Sequence, residues 1–250
     1  MKKQLQFEDL RFDDFRMRAR DPSLSRHEKV GFPNDYREGK EDCIFDDVFR
    51  KVKNLKENNK TILEIGPGCS QIPIKLAEIC RQNDNKLIYV DSKEMLDHLP
   101  DAPHIHKYYG AFPGALGNDM STLAGKIDAI IAYSVIQYVF VEGNLWAFID
   151  HCLDLISDGG EVFFGDIPNI SMRNRFFSSN SGWVSHRKFT GTDERPYVNV
   201  NKASLGKMDD SVILSILSRA RSQGFHAWVL PQTDALPMAN RREDILILKS

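Results

Sequence analysis

From Thr61 onward, short β-rich runs alternate with amphipathic helical stretches, a pattern that admits few folds. The runs fall at 61–65 (TILEI), 86–91 (KLIYVD), 104–109, 128–133 (DAIIAY) and 160–165 (GEVFFG). Helical patterns separate them, as a parallel sheet with crossover helices requires. Between Gly143 and Ser157, the residues Leu145, Phe148, Ile149, Cys152, Leu155 and Ile156 share one stripe, and Asp158-Gly159-Gly160 predicts its end. His151 sits on the edge of that stripe and reads as a solvated helix histidine. A helix over 209–223 ends at Gly224 and leads to two more runs, 226–230 and 243–249, expected to pair antiparallel at one edge.

A chain of 250 residues, 42% hydrophobic and 27% charged, holds one domain with a full core, which excludes a disordered tail protein. Its net charge of −2 gives no global basic field for nucleic acid. The longest apolar stretch, Ile127 to Val141, is broken by Asp128, Tyr133, Ser134 and Gln137, so no membrane span is expected. The N-terminal residues lack the apolar core of a secretion signal. Cysteines at 43, 69, 80 and 152 have neither zinc nor disulfide spacing, and a cytoplasmic, reducing setting is expected with no metal. His104 and His106 are two apart and would share a strand face, a weak metal signal by spacing alone.

The chemistry concentrates at Thr61–Ser70, TILEIGPGCS. A strand carries Glu64 near its end, Gly66 and Gly68 allow a tight turn, and a helix begins near Ser70. A dinucleotide fingerprint needs glycine at 71, where Gln71 stands, and no P-loop run occurs. Glu64 would repel a pyrophosphate and suits a ligand bearing positive charge. Asp91 ends the next strand, 25 residues after Gly66, where a carboxylate can accept both hydroxyls of a ribose. Together these describe S-adenosylmethionine (SAM), a nucleoside carrying an amino acid and a sulfonium but no phosphate.

These residues resemble the class I SAM-dependent methyltransferases. ILEIGPGCS resembles their first motif, with Ser70 in the third glycine's place, and VDSKEML their second. KIDAIIAYSVIQYV, LISDGGEVFFGD and the closing RREDILILK follow in the family's order, so the resemblance covers 60–166 and 209–250. It implies a Rossmann-like α/β fold: a seven-stranded, mostly parallel sheet with helices on both faces and an antiparallel last strand. It also implies that Glu64, Gly66, Pro67, Gly68, Asp91, Ser92, Met95, Gly110, Ala111, Phe112, Tyr133 and Ser134 hold SAM, and S-adenosylhomocysteine (SAH) as product. Where many relatives place an adenine-binding Asp after the third strand, this chain has Tyr109-Gly110-Ala111-Phe112, leaving the Ala111 backbone and a stacking Phe112.

Two parts lie outside the shared core. Residues 1–58, with Ile44, Val48, Val52 and Leu55 at helical spacing, are expected to form a helical cap. The domain then runs over 59–250, with a substrate-lid insertion at 167–208. That insertion holds Arg173, Arg175, Arg187, Lys188, Arg195, Lys202 and Lys207 against Asp193 and Glu194, a local charge of +5 interleaved with aromatics. A small anionic or sugar-like acceptor, methylated at a hydroxyl, is the expectation. Its base is sought in His186, Asp166 or Tyr133, and its contacts in Tyr36, Gln137, Tyr138, Arg187 and Lys188. The cap faintly resembles bacterial methyltransferases of surface-sugar biosynthesis. Nucleic acid is disfavoured because no [DN]-P-P-[FY] run follows the fourth strand. A non-catalytic SAM-binding scaffold and an NAD(P)-dependent oxidoreductase stand as alternatives.

Overall fold

In a computed structural model, residues 10–200 and 204–250 are described; Lys202 of the basic insertion lies outside them. Seven strands form one sheet in the order β3-β2-β1-β4-β5-β7-β6. They are β1 Thr61–Ile65, β2 Lys86–Asp91, β3 Ile105–Tyr109, β4 Ile127–Tyr133, β5 Ile156–Pro168, β6 His226–Pro231 and β7 Arg242–Leu248. The first five pair in parallel, and β7 inserts antiparallel between β5 and the edge strand β6. The architecture is the expected Rossmann-like sheet.

The central strands are buried almost throughout, their side chains pointing alternately to two covered faces. Leu63, Ile88, Ile130, Val162 and Phe164 belong to one core, while Ile62, Leu87, Tyr89, Ala129, Ile131 and Phe163 belong to the other. On the first face lie helices Leu145–Leu155 and Asp210–Ser222. Helices Glu41–Lys51 and Gln71–Gln82 cover the second. Helix Gln71–Gln82 buries Ile72, Leu76, Ala77 and Cys80 at the spacing of one helical face, and Ser70 caps it by accepting from the Ile72 amide.

The glycine stop after the helix over 143–157 is misplaced in the sequence reading. The helix ends at Leu155 and β5 begins at once, with Ile156 opposite Ile127. Register then shifts so that Glu161 faces Ala129, and Asp158-Gly159-Gly160 is an irregularity inside the strand rather than a cap. Before β1 stand helices Phe12–Arg20, Arg26–Lys29, Asn34–Arg37 and Glu41–Lys51. After β5 come helices Ile170–Ser178 and Asn180–Thr190.

Candidate functional site

A cavity of about 470 Å³ opens at the carboxyl ends of β1, β2 and β4, where open α/β sheets bind ligands. Its volume suits a small molecule. The turn after β1 forms its floor. Gly66 and Gly68 sit at φ of +65° and +64°, a conformation that strains other residues. A Cβ at 66 would lie 2.7 Å from Val135, and one at 68 would lie 2.6 Å from Val30.

Two buried carboxylates face this turn. Asp91 Oδ2 accepts from the Gly68 amide at 3.0 Å and Oδ1 from Ser92 at 2.6 Å. Burial nonetheless pushes its carboxyl up to about 6. Glu64 is 3% exposed and its Oε2 has no hydrogen-bond partner. Burial, then the neighbouring Asp91, pushes the Glu64 carboxyl up to about 8. An unpartnered buried carboxylate is costly, and a cationic ligand would relieve it.

Of the predicted cofactor residues, Glu64, Gly66, Pro67, Gly68, Asp91, Met95, Gly110, Ala111, Phe112, Tyr133 and Ser134 all line this cavity. Ser92 does not; it caps the short helix Lys93–Leu96 by accepting from the Met95 amide. Tyr138 also lines it, its ring edge-on to Phe15 at 4.9 Å.

Of the predicted catalytic and substrate residues, Asp166, Gln137, His186, Arg187, Lys188 and Tyr36 do not line the cavity. Asp166 is not a free base: its Oδ2 accepts from Arg37 at 3.0 Å, from Arg242 at 2.8 Å and from the Ser134 hydroxyl. Both Ser134 and Asp166 hold positive φ, 58° and 59°, which turns their side chains together at the ends of β4 and β5. Gln137 donates to the Ser134 carbonyl at 2.8 Å. His186 packs edge-on against Phe177 at 6.0 Å, and Arg187 pairs with Asp193 at 2.8 Å. Neither residue, nor Lys188, lines the cavity; all three belong to helix Asn180–Thr190. Tyr36 meets Phe189 of that helix, with ring centroids 6.2 Å apart. Tyr133 stays on the wall, but burial, then Asp166, holds its phenol well above the ordinary value, so it can donate a hydrogen bond and not take a proton.

The sequence placed a helical cap over residues 1–58 but named only Tyr36 in it as a site residue. Phe12, Phe15, His27, Val30, Phe32, Arg37 and Glu41 all line the cavity. Helix Phe12–Arg20 is tied down by Arg16 to Glu94 at 3.1 Å and by the Phe12 amide to Glu142 at 3.1 Å. His27 Nε2 lies 3.4 Å from Glu41, whose other oxygen accepts from the Gln71 amide at 2.9 Å. His151, read as solvated, is also on the wall. The signal was thin: these residues come from loops and short helices whose packing has no period in sequence. Among the described residues, no group of three or more His, Cys, Asp or Glu is arranged for a metal ion. No described helix is long and apolar enough to cross a membrane.

No protein-family model matches the chain. It is 30% identical over 191 residues to chondramide synthase cmdD of Chondromyces crocatus; the match covers 71% of this chain, which spans only 5% of the relative's length. The plantazolicin methyltransferase BamL, solved with a triazolic desmethylPZN analog and SAH, superposes with a TM-score of 0.58 at 15% identity, covering 94% of this chain and 95% of that one. The CurJ carbon methyltransferase superposes with a TM-score of 0.54 at 15% identity, over 96% of this chain and 65% of that one. The fold of this chain is that of the class I SAM-dependent methyltransferases.

Proposed function

We propose that this chain is a SAM-dependent methyltransferase acting on a small molecule. The observation that carries the reading is Glu64, a buried carboxylate with an unpartnered oxygen, beside Asp91 in a single cavity. That pair fits a cation and a diol in one ligand, and it is hostile to phosphate. The structural neighbours crystallised with SAH support the same cofactor. When bound, SAM supplies an electrophilic methyl group on sulfur. Asp91 would hold the ribose hydroxyls and Glu64 the ammonium group. Met95, Ala111 and Phe112 would wall the adenine.

For the acceptor, this chain's residues mainly exclude water and align, and alignment contributes on the order of 7–11 kcal/mol. The apolar roof of Phe12, Phe15, Val30 and Phe32 closes the cavity from above. A hydroxyl acceptor needs somewhere to send its proton. His27, oriented by Glu41, and His151 are the imidazoles on the cavity walls among the described residues. They take the place in this reading that His186 and Asp166 held in the sequence. The anionic expectation rested on the whole basic insertion, of which Arg187 and Lys188 lie off the cavity, and the aromatic roof favours an acceptor with an apolar face.

Calorimetric titration with SAH, with NADH in parallel, tests the cofactor. Micromolar binding of SAH alone is expected, and Asp91→Ala should weaken it at least tenfold, about 1.4 kcal/mol. Binding of NADH, or of neither ligand, would overturn the reading.

A further inference from the structure

The arginines in the basic insertion and around the start of β7 are of two kinds. Arg175 is paired with Asp210 and Arg187 with Asp193; on β7, Arg242 is paired with Asp166. Arg173 and Arg241 are different. Both are half-buried, and neither has an ion pair among the described residues. They converge on one phenyl ring: the Arg173 guanidinium carbon lies 4.9 Å from the Phe177 centroid and that of Arg241 lies 5.3 Å from it. Arg173 spends one N–H on the Tyr197 carbonyl at 3.4 Å.

Two uncompensated guanidinium groups on one ring repel each other in a half-buried setting, where screening by water is reduced. Burial, with Arg173 and Arg242 adding to it, holds the Arg241 guanidinium below its ordinary value. Such a pair is stabilised by an anion that both can grip. The planar N–H fork of arginine matches a phosphate better than any other common anion except a carboxylate, and a tetrahedral group can engage two forks at once.

The place in the fold gives this pair a purpose. Arg241 precedes β7 and Arg173 follows β5, so both stand at the carboxyl edge of the sheet with the cavity. Arg242 bonds Asp166, and Asp166 bonds Arg37 on the cavity wall. Tyr36, the residue before Arg37, meets Phe189 on the helix whose His186 touches Phe177.

We propose that Arg173 and Arg241, both against the Phe177 ring, bind a phosphate group carried by the acceptor beside the cavity. The acceptor then has an apolar part under the roof and a phosphate outside it. Its role as acceptor rests on the methyltransferase reading; the phosphate site does not. The phosphate could belong to a free monoester or to a diester linking the acceptor to a larger carrier.

Calorimetric titration of the whole chain with phenyl phosphate, methyl phenyl phosphate and inorganic phosphate tests this. Phenyl phosphate should bind, with inorganic phosphate competing and an equal ionic strength of chloride competing far less. Preference for the monoester assigns a free phosphorylated metabolite; equal binding of both esters assigns a diester. In Arg173→Gln/Arg241→Gln the affinity should fall at least tenfold, with SAH affinity unchanged. Should that double variant not fold, Arg173→Lys and Arg241→Lys keep the charge and lose the fork, and each should bind severalfold more weakly. Absence of binding to the wild type, or unchanged binding in the variants, overturns the proposal. SAH titrated in parallel separates the two readings: failure of SAH alone sinks the methyltransferase, and failure of the phosphates alone sinks this site.

Discussion

Arg37 donates from Nη2 to Asp166 Oδ2 at 3.0 Å across 129 residues of chain, and both side chains are more than nine-tenths buried. This bond fastens the N-terminal roof to the sheet. Arg242 reaches the same carboxylate oxygen at 2.8 Å, so Asp166 holds two arginines. Removing its charge leaves both uncompensated. Breaking a buried pair in this way costs about 3–5 kcal/mol. Asp166→Asn should therefore lower the thermal midpoint by about 10 °C, at roughly 2–4 °C per kcal/mol for a chain this size. Arg37→Met should cost less, because Arg242 remains on Asp166. Thermal unfolding of the two variants decides the order; equal midpoints would refute the shared-anchor account.

Gly68 and Val30 form a second contact between roof and floor. Alanine at 68 meets a φ of +64° and places its Cβ 2.6 Å from Val30. The left-handed conformation alone costs roughly 1–2 kcal/mol, and the clash displaces the roof. Gly68→Ala should weaken SAH binding at least tenfold. Adding Val30→Ala removes the clash but not the strain, so the double variant should recover part of the loss. Titration of both gives the answer, and no recovery would place the whole effect in the backbone.

Glu64 predicts a pH dependence whose sign follows from linkage. Its carboxyl is raised to about 8 in the folded chain, mainly by burial, against an ordinary value of 4.5. Between those values the folded state binds a proton that the unfolded state has released. Stability therefore falls as pH rises from about 5 to 8, by at most about 1.4 kcal/mol per pH unit, and levels off above. Glu64→Gln should abolish that fall and be the more stable chain at pH 8. A cationic ligand reverses the preference for the neutral form, so SAH binding near pH 7 should release a proton from the wild type and none from Glu64→Gln. Calorimetry in buffers of different ionisation enthalpy reads this directly.

The alternation of strands and helices was legible because both faces of the sheet are covered and its central strands β1, β2 and β4 are short, largely buried runs. The floor of the cavity was legible for a related reason: Glu64, Gly66, Gly68 and Asp91 line it from fixed positions at or just after strand ends, so spacing along the chain translates into spacing in the cavity. The roof was not. Phe15, Val30 and Arg37 reach the cavity through tertiary contacts with Tyr138, Gly68 and Asp166, partners between 38 and 129 residues away. His186 misled for the converse reason. The basic insertion sits at the correct edge of the sheet, but its helix turns that histidine onto Phe177. Asp166 lies at a strand end where a catalytic group belongs, and its positive φ delivers it instead to Ser134 and two arginines.

The roof's outer fastening is Glu94, one turn beyond Asp91. Its carboxylate accepts from Arg16 through Nε and Nη2, each at 3.1 Å, and from Arg20. These bonds hold the Glu94 carboxyl down to about 2, so the fastening is intact across the whole range in which the chain is handled. At its other end the helix is held by the Phe12 amide on Glu142. Glu94→Gln loses the charge and keeps the shape, which frees one end of helix Phe12–Arg20 while leaving Asp91 and Glu64 untouched. A lid loosened in this way changes how long a ligand stays more than how fast it enters. SAH dissociation, followed by stopped-flow displacement, should accelerate severalfold in Glu94→Gln with association nearly unchanged. An unaltered dissociation rate would mean that the helix does not close over the ligand. A slower association rate would mean that Glu94 shapes the entrance instead.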